Sequence, residues 1–368
     1  MIPAVNYYDS EIFKKEIAEL FDKSFQFAGL TSELANDRDF VCVELYGTSV
    51  VIQNFRGKIR AFQNICSHRF NKIQTADKGN RPLMCSYHGW TYNEHGQPAG
   101  IPKKSNFHLD SPGDQEMLCL TEYPVEVCGI FVFFKRKENE ASLREFLGSY
   151  YEELERIGAS IGRELNFGHM VHEANWKLLV ENVLECYHCA SVHKDTFLDK
   201  AGIGIAKLEE VNFDVDNSSC HFPRVPLKTE NLRKKLLSHL DERQLKHNSF
   251  YHIYIFPNLF IASSEGISFY IGHALPVSAV QTNLRTRHMS LNHKIAEKKI
   301  QFNKMLEEDG LKISIDVLME DKAILENIQK TLPLVKKGGI IGDEEIRIKN
   351  FMESYTKVMY QDANPSAI

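Results

Sequence analysis

The chain carries two short cysteine–histidine motifs, Cys66-Ser67-His68 and, after sixteen further residues, Cys85-Ser86-Tyr87-His88-Gly89-Trp90. Each motif places a thiolate beside an imidazole, a combination that suits soft and borderline metals, chiefly zinc or iron–sulfur. The surrounding sequence reads as short strands and loops, with Arg56-Gly57 as a hairpin turn between two of the strands, so the ligands are expected on the loops of a compact all-β module. The two motifs therefore predict one metal centre with Cys66, His68, Cys85 and His88 as its ligands.

The order of the ligands favours an iron–sulfur cluster over zinc. In a Rieske centre two Cys hold one iron of a [2Fe–2S] cluster and two His hold the other, so each of two loops supplies one of each. Zinc sites usually pair Cys-x-x-Cys with histidines or with a second Cys-x-x-Cys, which makes a structural zinc site the minor alternative. Arg69, Gly89 and Trp90 beside the ligands add to the resemblance to the Rieske [2Fe–2S] domain.

The motif resembles one branch of Rieske proteins more than another. Respiratory-chain members carry an extra disulfide between the two loops, and the corresponding positions here are Asn71 and Tyr87. The module is therefore similar to the Rieske domain of an oxygenase or of its ferredoxin. With fewer hydrogen-bonding and covalent constraints on the cluster, a lower reduction potential is expected.

A second group of metal-binding residue types lies near the middle of the chain, at Glu185, His188 and His193. A long helix is expected from Trp176, on which Glu185 and His188 share a face. His193 lies five residues further on, about 140° around an ideal helix. Both histidines can therefore bind one metal only if the helix ends, kinks or widens near Ala190-Ser191-Val192. Two histidines and one carboxylate would leave positions open on iron for dioxygen and substrate.

The run Asn175-Trp176-Lys177-Leu178-Leu179-Val180-Glu181-Asn182, together with these residues, resembles the catalytic domain of Rieske non-haem iron oxygenases, the ring-hydroxylating oxygenase α subunits. The resemblance implies that Glu185 is not a ligand but connects the iron site to a cluster histidine of a neighbouring subunit. It also implies that the second member of the acidic pair Glu320-Asp321 is the third iron ligand. Asp321 matches that position, Glu320 is its rival, and the alternative is that Asp321 only begins a helical turn.

The expected fold class is α+β. We predict an N-terminal helical segment (1–37) that packs on the catalytic domain, an all-β Rieske domain (38–155) and a catalytic mononuclear iron domain (156–368). The resemblance implies that the catalytic domain is helix-grip-like, with an antiparallel sheet around a long helix. Aromatic residues of that sheet are expected in the core, with the alternative that they line an aromatic pocket or cage a quaternary amine; they are Phe256, Phe260, Phe269 and Tyr270.

Composition limits the partners. A net charge of −5 gives no reason to expect nucleic acid or an anionic membrane. The start of the sequence lacks the features of a secretory signal, and eight cysteines in a chain this long are not a disulfide framework, so a cytoplasmic location is expected. For the Cys186-x-x-Cys189 pair, ordinary packing beside the iron is favoured over a redox role.

The predicted function is that of a terminal oxygenase, a monooxygenase or dioxygenase. It would hydroxylate or oxidatively demethylate a small organic substrate, aromatic or a quaternary amine, with O2. No Gly-rich dinucleotide loop is visible, so flavin and NAD(P)H are assigned to a separate reductase, possibly with a ferredoxin. The resemblance implies a homotrimer, because electrons would cross between subunits. The alternative is an electron-transfer or zinc-stabilised binding protein with a degenerate second site.

Overall fold

The computed structural model of the chain describes residues 2–109, 112–137, 141–203, 207–227, 231, 234, 244–292 and 300–360. The chain divides into two compact units, one formed by Phe21–Phe146 and the other by Met1–Leu20 together with Leu147–Ile368. The domain limits expected from the sequence, at residues 37/38 and 155/156, stay a prediction.

Within the described residues the α-helices are α1 (Ser10–Glu16), α2 (Pro112–Met117), α3 (Leu143–Leu147), α4 (Tyr150–Ser160), α5 (Trp176–Val183), α6 (Cys189–Val192), α7 (Asp199–Ala201), α8 (Ile300–Thr331) and α9 (Ile346–Tyr360). The strands of the first unit are β1 (Gln26–Leu30), β2 (Asp39–Leu45), β3 (Thr48–Phe55), β4 (Lys58–Gln63), β5 (Lys78–Asn80), β6 (Thr91–Tyr92), β7 (Pro98–Gly100), β8 (Glu122–Tyr123), β9 (Val125–Cys128) and β10 (Phe131–Phe134). The strands of the second unit are β11 (Ile161–His172), β12 (Glu209–Asp214), β13 (Asn217–Pro223), β14 (Ser249–Ile255), β15 (Leu259–Ser264), β16 (Ser268–Ser278) and β17 (Gln281–Leu291).

The unit Phe21–Phe146 is built from antiparallel strands. Five of them form a sheet in the order β5-β2-β3-β4-β8, and β1, β10 and β9 form a second sheet. Strands β3 and β4 are joined by the two residues Arg56-Gly57, whose φ angles of 52° and 91° are those of a tight hairpin turn. The hairpin predicted there is therefore confirmed.

One apolar cluster of this unit reaches from the sheet into the two motif loops. Phe40 of β2, Val51 of β3 and Phe62 of β4 pack in the same cluster as Cys66 and Cys85. The loops that hold the cysteines are thus anchored on the sheet through buried side chains. This anchoring fixes the positions of both thiols before any metal binds.

The second unit is organised around a seven-stranded antiparallel sheet in the order β11-β17-β16-β15-β14-β13-β12. Helix α5 packs against β16, and α8, which is 32 residues long, packs against β11. The combination of an all-β unit with an antiparallel sheet and helices confirms the α+β fold class. In the part of the chain that the structure describes, no helix is both long and apolar enough to cross a lipid bilayer.

Candidate iron centres

Each cysteine–histidine motif lies on a tight turn that begins at its cysteine. The carbonyl of Cys66 accepts a hydrogen bond from the Phe70 amide at 2.9 Å, and the carbonyl of Cys85 accepts one from the Gly89 amide at 3.0 Å. Gly89 has a φ of +73°, a conformation that favours glycine. Cys66 and Cys85 are each only 1% exposed, whereas His88 is exposed. The turns therefore bury the thiols and bring the histidines toward the surface.

The four side chains fit a [2Fe–2S] cluster. The imidazole rings of His68 and His88 lie side by side, with centroids 4.6 Å apart. Among the described residues, Nδ1 of His68 is buried and has no hydrogen-bond partner. A buried polar atom without a partner calls for an explanation such as a missing ion. Two buried thiols with an unpaired imidazole nitrogen provide the donor types of a Rieske centre.

Two side chains lie within hydrogen-bonding distance of the cysteine sulfurs. The Tyr92 hydroxyl is 3.1 Å from Cys66 Sγ, and Asn71 Nδ2 donates to Cys85 Sγ at 3.5 Å. The lower reduction potential was expected because the cluster was predicted to have fewer hydrogen-bonding constraints than in respiratory-chain Rieske proteins. Tyr92 was not among the residues named from the sequence. A Tyr in the short strand after the second motif carries no sequence signal for this contact, because it depends on how the two loops meet.

Replacing Tyr92 with phenylalanine is expected to lower the reduction potential of the cluster by about 50 mV, the one-electron equivalent of one ~1 kcal/mol hydrogen bond. The hydroxyl donates to a sulfur that becomes more electron-rich on reduction, so its loss disfavours the reduced cluster. Protein-film voltammetry measures the shift. Tyr87→Phe is the matched control, since Tyr87 lies within the second motif and is 56% exposed. An unchanged potential in Tyr92→Phe, or an equal shift in both variants, would contradict this role of the hydroxyl.

The second candidate centre begins where helix α5 ends. One long helix was expected from Trp176 through His188, and this prediction is wrong, because α5 ends at Val183. The carboxylate of Glu185 accepts hydrogen bonds from the amides of Tyr187 and His188 and so starts a new turn. A side chain that captures backbone donors in this way competes with continuation of the helix.

The chain also leaves helical geometry at His193. Its backbone angles are φ −107° and ψ 29°, and its carbonyl accepts from the Leu198 amide at 3.1 Å in a wide turn. The predicted interruption is therefore present, but on both sides of the Ala190-Ser191-Val192 segment rather than within it. Because of these two breaks, both histidines face the same point.

That point is occupied by Asp321 of α8. Oδ1 of Asp321 lies 2.9 Å from Nε2 of His193 and 3.5 Å from Nε2 of His188. One ligand atom from each of these three residues lies within 4.8 Å of the other two. Asn182 Nδ2 approaches the same group, at 3.3 Å from Asp321 Oδ1. Asn182 is the last residue of the run 175–182, and no role was predicted for it from the sequence.

Glu185 and Glu320 lie on the side of the two histidine rings that faces away from Asp321. Glu185 contacts Nδ1 of His188, and Glu320 lies 2.7 Å from Nδ1 of His193. Glu185 and Glu320 therefore contact the ring nitrogens that face away from Asp321. The nitrogens left for metal binding are Nε2 of His188 and Nε2 of His193, and both face Asp321. Two histidine nitrogens and one carboxylate form a donor set that suits non-haem Fe(II).

The charges at this centre favour a bound cation. Burial lowers the pKa of His188, but the hydrogen bonds that its ring donates to Asp321 and Glu185 outweigh that effect and raise the pKa to about 9. Burial would raise the pKa of Asp321, yet its contacts with His188 and His193 lower it below its usual value. Asp321 is therefore ionised at neutral pH and available to a metal ion.

Cys186 and Cys189 border this centre and are joined by a disulfide bond. The interpretation favoured from the sequence, two small residues that pack beside the iron site, did not include this bond. The break after Val183 places Cys186 in a turn, and the two Cα atoms are 4.9 Å apart, within the range that a disulfide spans. Both cysteines also contribute to the wall of the adjoining cavity.

A cavity of about 440 Å³ opens onto His188, His193 and Asp321. Its wall is mostly apolar and includes the aromatic side chains of Phe197, Phe222, Phe250, Phe269 and Tyr270. Of the aromatic residues named from the sequence, Phe269 and Tyr270 thus line the cavity, and Phe256 and Phe260 are buried. Among the described residues, the charged side chains of the wall are Glu185, Glu265, Glu307, Asp309, Asp321, Lys200 and Arg224. Glu265 forms an ion pair with Arg224, and Glu307 forms one with Arg163.

Comparison with protein families gives two matches that together span most of the chain. The model of the ring hydroxylating alpha subunit (catalytic domain) matches residues 152–361. The model of the Rieske [2Fe-2S] domain matches residues 24–124. The first match alone covers more than half of the chain.

Similar curated proteins include the glycine betaine monooxygenase oxygenase subunit of Pseudomonas aeruginosa, which is 30% identical over 201 residues, 53% of this chain and 45% of that protein. The carnitine monooxygenase oxygenase subunit of Escherichia coli is 32% identical over 207 residues, 52% of each chain. The match thus spans about half the length of these relatives. Among solved structures, a quaternary ammonium Rieske monooxygenase has the same fold, with a TM-score of 0.81 over 97% of this chain and 94% of that one at 22% identity.

Proposed function

The chain belongs to the ring-hydroxylating oxygenase α subunits, with a Rieske domain ahead of the catalytic domain, and from this we propose that it is the terminal oxygenase of a Rieske-type system. The observation that carries the proposal is the convergence of His188, His193 and Asp321 at the wall of an aromatic cavity. The alternative of an electron-transfer or binding protein with a degenerate second site loses its support, because all three metal-binding groups are present and directed at one point.

A Rieske [2Fe–2S] cluster and a mononuclear iron are the cofactors of this family, and when bound they supply single electrons and dioxygen activation respectively. Cys66, His68, Cys85 and His88 are proposed to hold the cluster. His188, His193 and Asp321 are proposed to hold the mononuclear iron. Glu185 keeps its contact with His188 Nδ1 and so fixes the orientation of that ring.

The substrate is proposed to be a small quaternary amine that is hydroxylated or oxidatively demethylated. Aromatic faces attract quaternary ammonium groups, and several aromatic side chains line the cavity. The oxygenase subunits named above act, by their names, on glycine betaine and carnitine. An aromatic compound is the second candidate, because the apolar wall accommodates it equally well and a 2-aminobenzenesulfonate 2,3-dioxygenase subunit alpha of Alcaligenes sp is 25% identical over 97% of this chain.

The partners follow from the same proposal. Electrons come from a separate reductase that carries flavin and uses NAD(P)H, possibly through a ferredoxin. A cytoplasmic location and a homotrimer complete the proposal. Exposed aromatic side chains next to His88 and next to Glu185 are consistent with contacts to other copies, since Tyr87 is 56% exposed and Tyr187 is 74% exposed.

Reconstitution with a reductase and NADH tests the function directly. With a panel of methylammonium and aromatic compounds, we expect substrate-dependent O2 uptake and oxidation of a methylammonium compound, either to a hydroxylated product or to a demethylated product and formaldehyde. The His193→Ala variant serves as the control without the mononuclear site and is expected to consume no substrate. A cis-diol from an aromatic compound, with no oxidation of any amine, would contradict the proposed substrate class. No oxidation of any compound by a preparation that holds both iron centres would contradict the proposed function.

A further inference from the structure

The acidic pair Glu320-Asp321 directs its two carboxylates to opposite sides of one histidine. Asp321 Oδ1 is 2.9 Å from Nε2 of His193, and Glu320 Oε2 is 2.7 Å from Nδ1 of the same ring. Neighbouring residues on an α-helix are offset by about 100°, so adjacent side chains of α8 reach different sides of a group that packs against the helix. The ring of His193, which is 1% exposed, is therefore held at both nitrogens by a single turn of α8.

Glu320 is itself held in place by Thr196. The Thr196 hydroxyl donates to the same oxygen, Glu320 Oε2, at 2.7 Å. Thr196 is 5% exposed and lies three residues after His193, so the chain that carries the histidine also anchors its acceptor. A carboxylate that accepts two hydrogen bonds at normal distance, one of them from a buried hydroxyl, has a defined orientation.

The contact determines which nitrogen of His193 carries the proton. A neutral imidazole has one N–H donor and one acceptor nitrogen, and a carboxylate next to Nδ1 stabilises the form that has its proton there. Nε2 is then left with its lone pair directed at Asp321 and the proposed metal position. Metal-bound histidines commonly donate their second N–H to a carboxylate, which fixes the ring and strengthens the metal bond.

We infer that Glu320 is a positioning residue of the mononuclear metal site, which orients His193 through its Nδ1–H and is itself fixed by Thr196. Glu320 contacts Nδ1 of His193 in the same way that Glu185 contacts Nδ1 of His188. From the sequence, Glu320 was named only as the alternative to Asp321 for the third iron ligand. This inference rests on the proposed ligands His188, His193 and Asp321, and it assigns to Glu320 a role in metal affinity and geometry rather than in metal bonding.

Binding of Co²⁺ to protein depleted of its mononuclear iron tests the inference without any substrate. The dissociation constant and the visible absorption of bound Co²⁺ are measured for the unaltered chain and for four variants. Glu320→Ala is expected to weaken Co²⁺ binding about 10–100-fold and to change the absorption spectrum. Glu320→Gln retains an oxygen acceptor and should restore affinity to within about 5-fold, and Thr196→Val should weaken binding about 3-fold. Glu308→Gln, an exposed acid of α8 whose side chain is 63% exposed, is the matched control and should change nothing.

The outcomes separate this inference from the proposal on which it rests. Co²⁺ binding by Glu320→Ala with the affinity and spectrum of the unaltered chain would overturn the role of Glu320 while leaving the ligand set intact. Absence of Co²⁺ binding by the unaltered chain would overturn the ligand set and the inference together. If Glu320→Ala does not fold, as judged by circular dichroism and loss of a cooperative urea unfolding transition, Thr196→Val decides the matter, and unchanged affinity in that variant would overturn the inference.

Discussion

Replacing Asp321 with alanine is expected to abolish substrate oxidation, by at least about 10³-fold, because a 2-His-1-carboxylate site that loses its carboxylate no longer holds iron in the geometry that leaves positions open for dioxygen and substrate. Asp321 is the residue whose carboxylate oxygen contacts Nε2 of both His188 and His193. Its pKa is lowered by these two histidines in spite of burial, so it is ionised at neutral pH. Coupled turnover with a reductase measures the loss.

The Rieske cluster should be unaffected by this substitution. Its four proposed ligands lie in the unit Phe21–Phe146, whereas Asp321 lies in the other unit. The visible spectrum and the reduction potential of the cluster are therefore expected to match those of the unaltered chain. Glu308→Gln on the same helix is the matched control and should retain full activity. Substrate oxidation at more than about one tenth of the normal rate in Asp321→Ala would show that another group serves as the carboxylate ligand.

Replacing Glu16 with alanine is expected to destabilise the second unit by about 3–5 kcal/mol, because it leaves the charge of Lys177 buried without its partner. Both side chains are fully buried, and Lys177 Nζ donates to Glu16 Oε1 at 2.5 Å. The same carboxylate accepts from Trp176 Nε1 at 2.9 Å and from the Tyr355 hydroxyl at 2.6 Å. Glu16 thus joins α1, α5 and α9 at one point.

The contacts of Glu16 lie at the start of the helix that leads to the candidate mononuclear iron site. Trp176 and Lys177 begin α5, the helix that ends just before Glu185 and His188. Equilibrium unfolding in urea should show the loss in Glu16→Ala, and partial recovery in the double variant Glu16→Leu with Lys177→Met, since replacing a whole buried ion pair by apolar residues is often close to neutral. Glu11→Ala removes an exposed ion pair with Lys14 on the same helix and should leave the unfolding midpoint unchanged. Equal midpoints for Glu16→Ala and Glu11→Ala would show that the buried pair does not stabilise this unit.

The sequence predicted those features that depend on residue types at fixed spacing. The two motifs identified Cys66, His68, Cys85 and His88 as candidate ligands, because no common zinc pattern has that order. The turn at Arg56-Gly57 followed from its composition between two β-branched runs. His188 and His193 are five residues apart in the sequence. That spacing predicted a shared iron site only on the condition that the helix is interrupted between them.

Other features depend on contacts between distant parts of the chain and had no local signal. The end of α5 at Val183 results from a side chain beyond it, Glu185, that captures two backbone amides. The choice between Glu320 and Asp321 required the direction of each side chain around α8. Burial of Glu16 depends on Lys177, 161 residues further along the chain, and the sequence of α1 carries no signal of that partner.

The iron and acid-labile sulfide content of the purified chain tests the central claim most directly, namely that one chain holds both a Rieske cluster and a mononuclear iron. The unaltered chain is expected to contain about three iron atoms and about two sulfides, and Asp321→Ala about two of each. Zinc in place of iron and sulfide, or the same iron content in both proteins, would contradict the account.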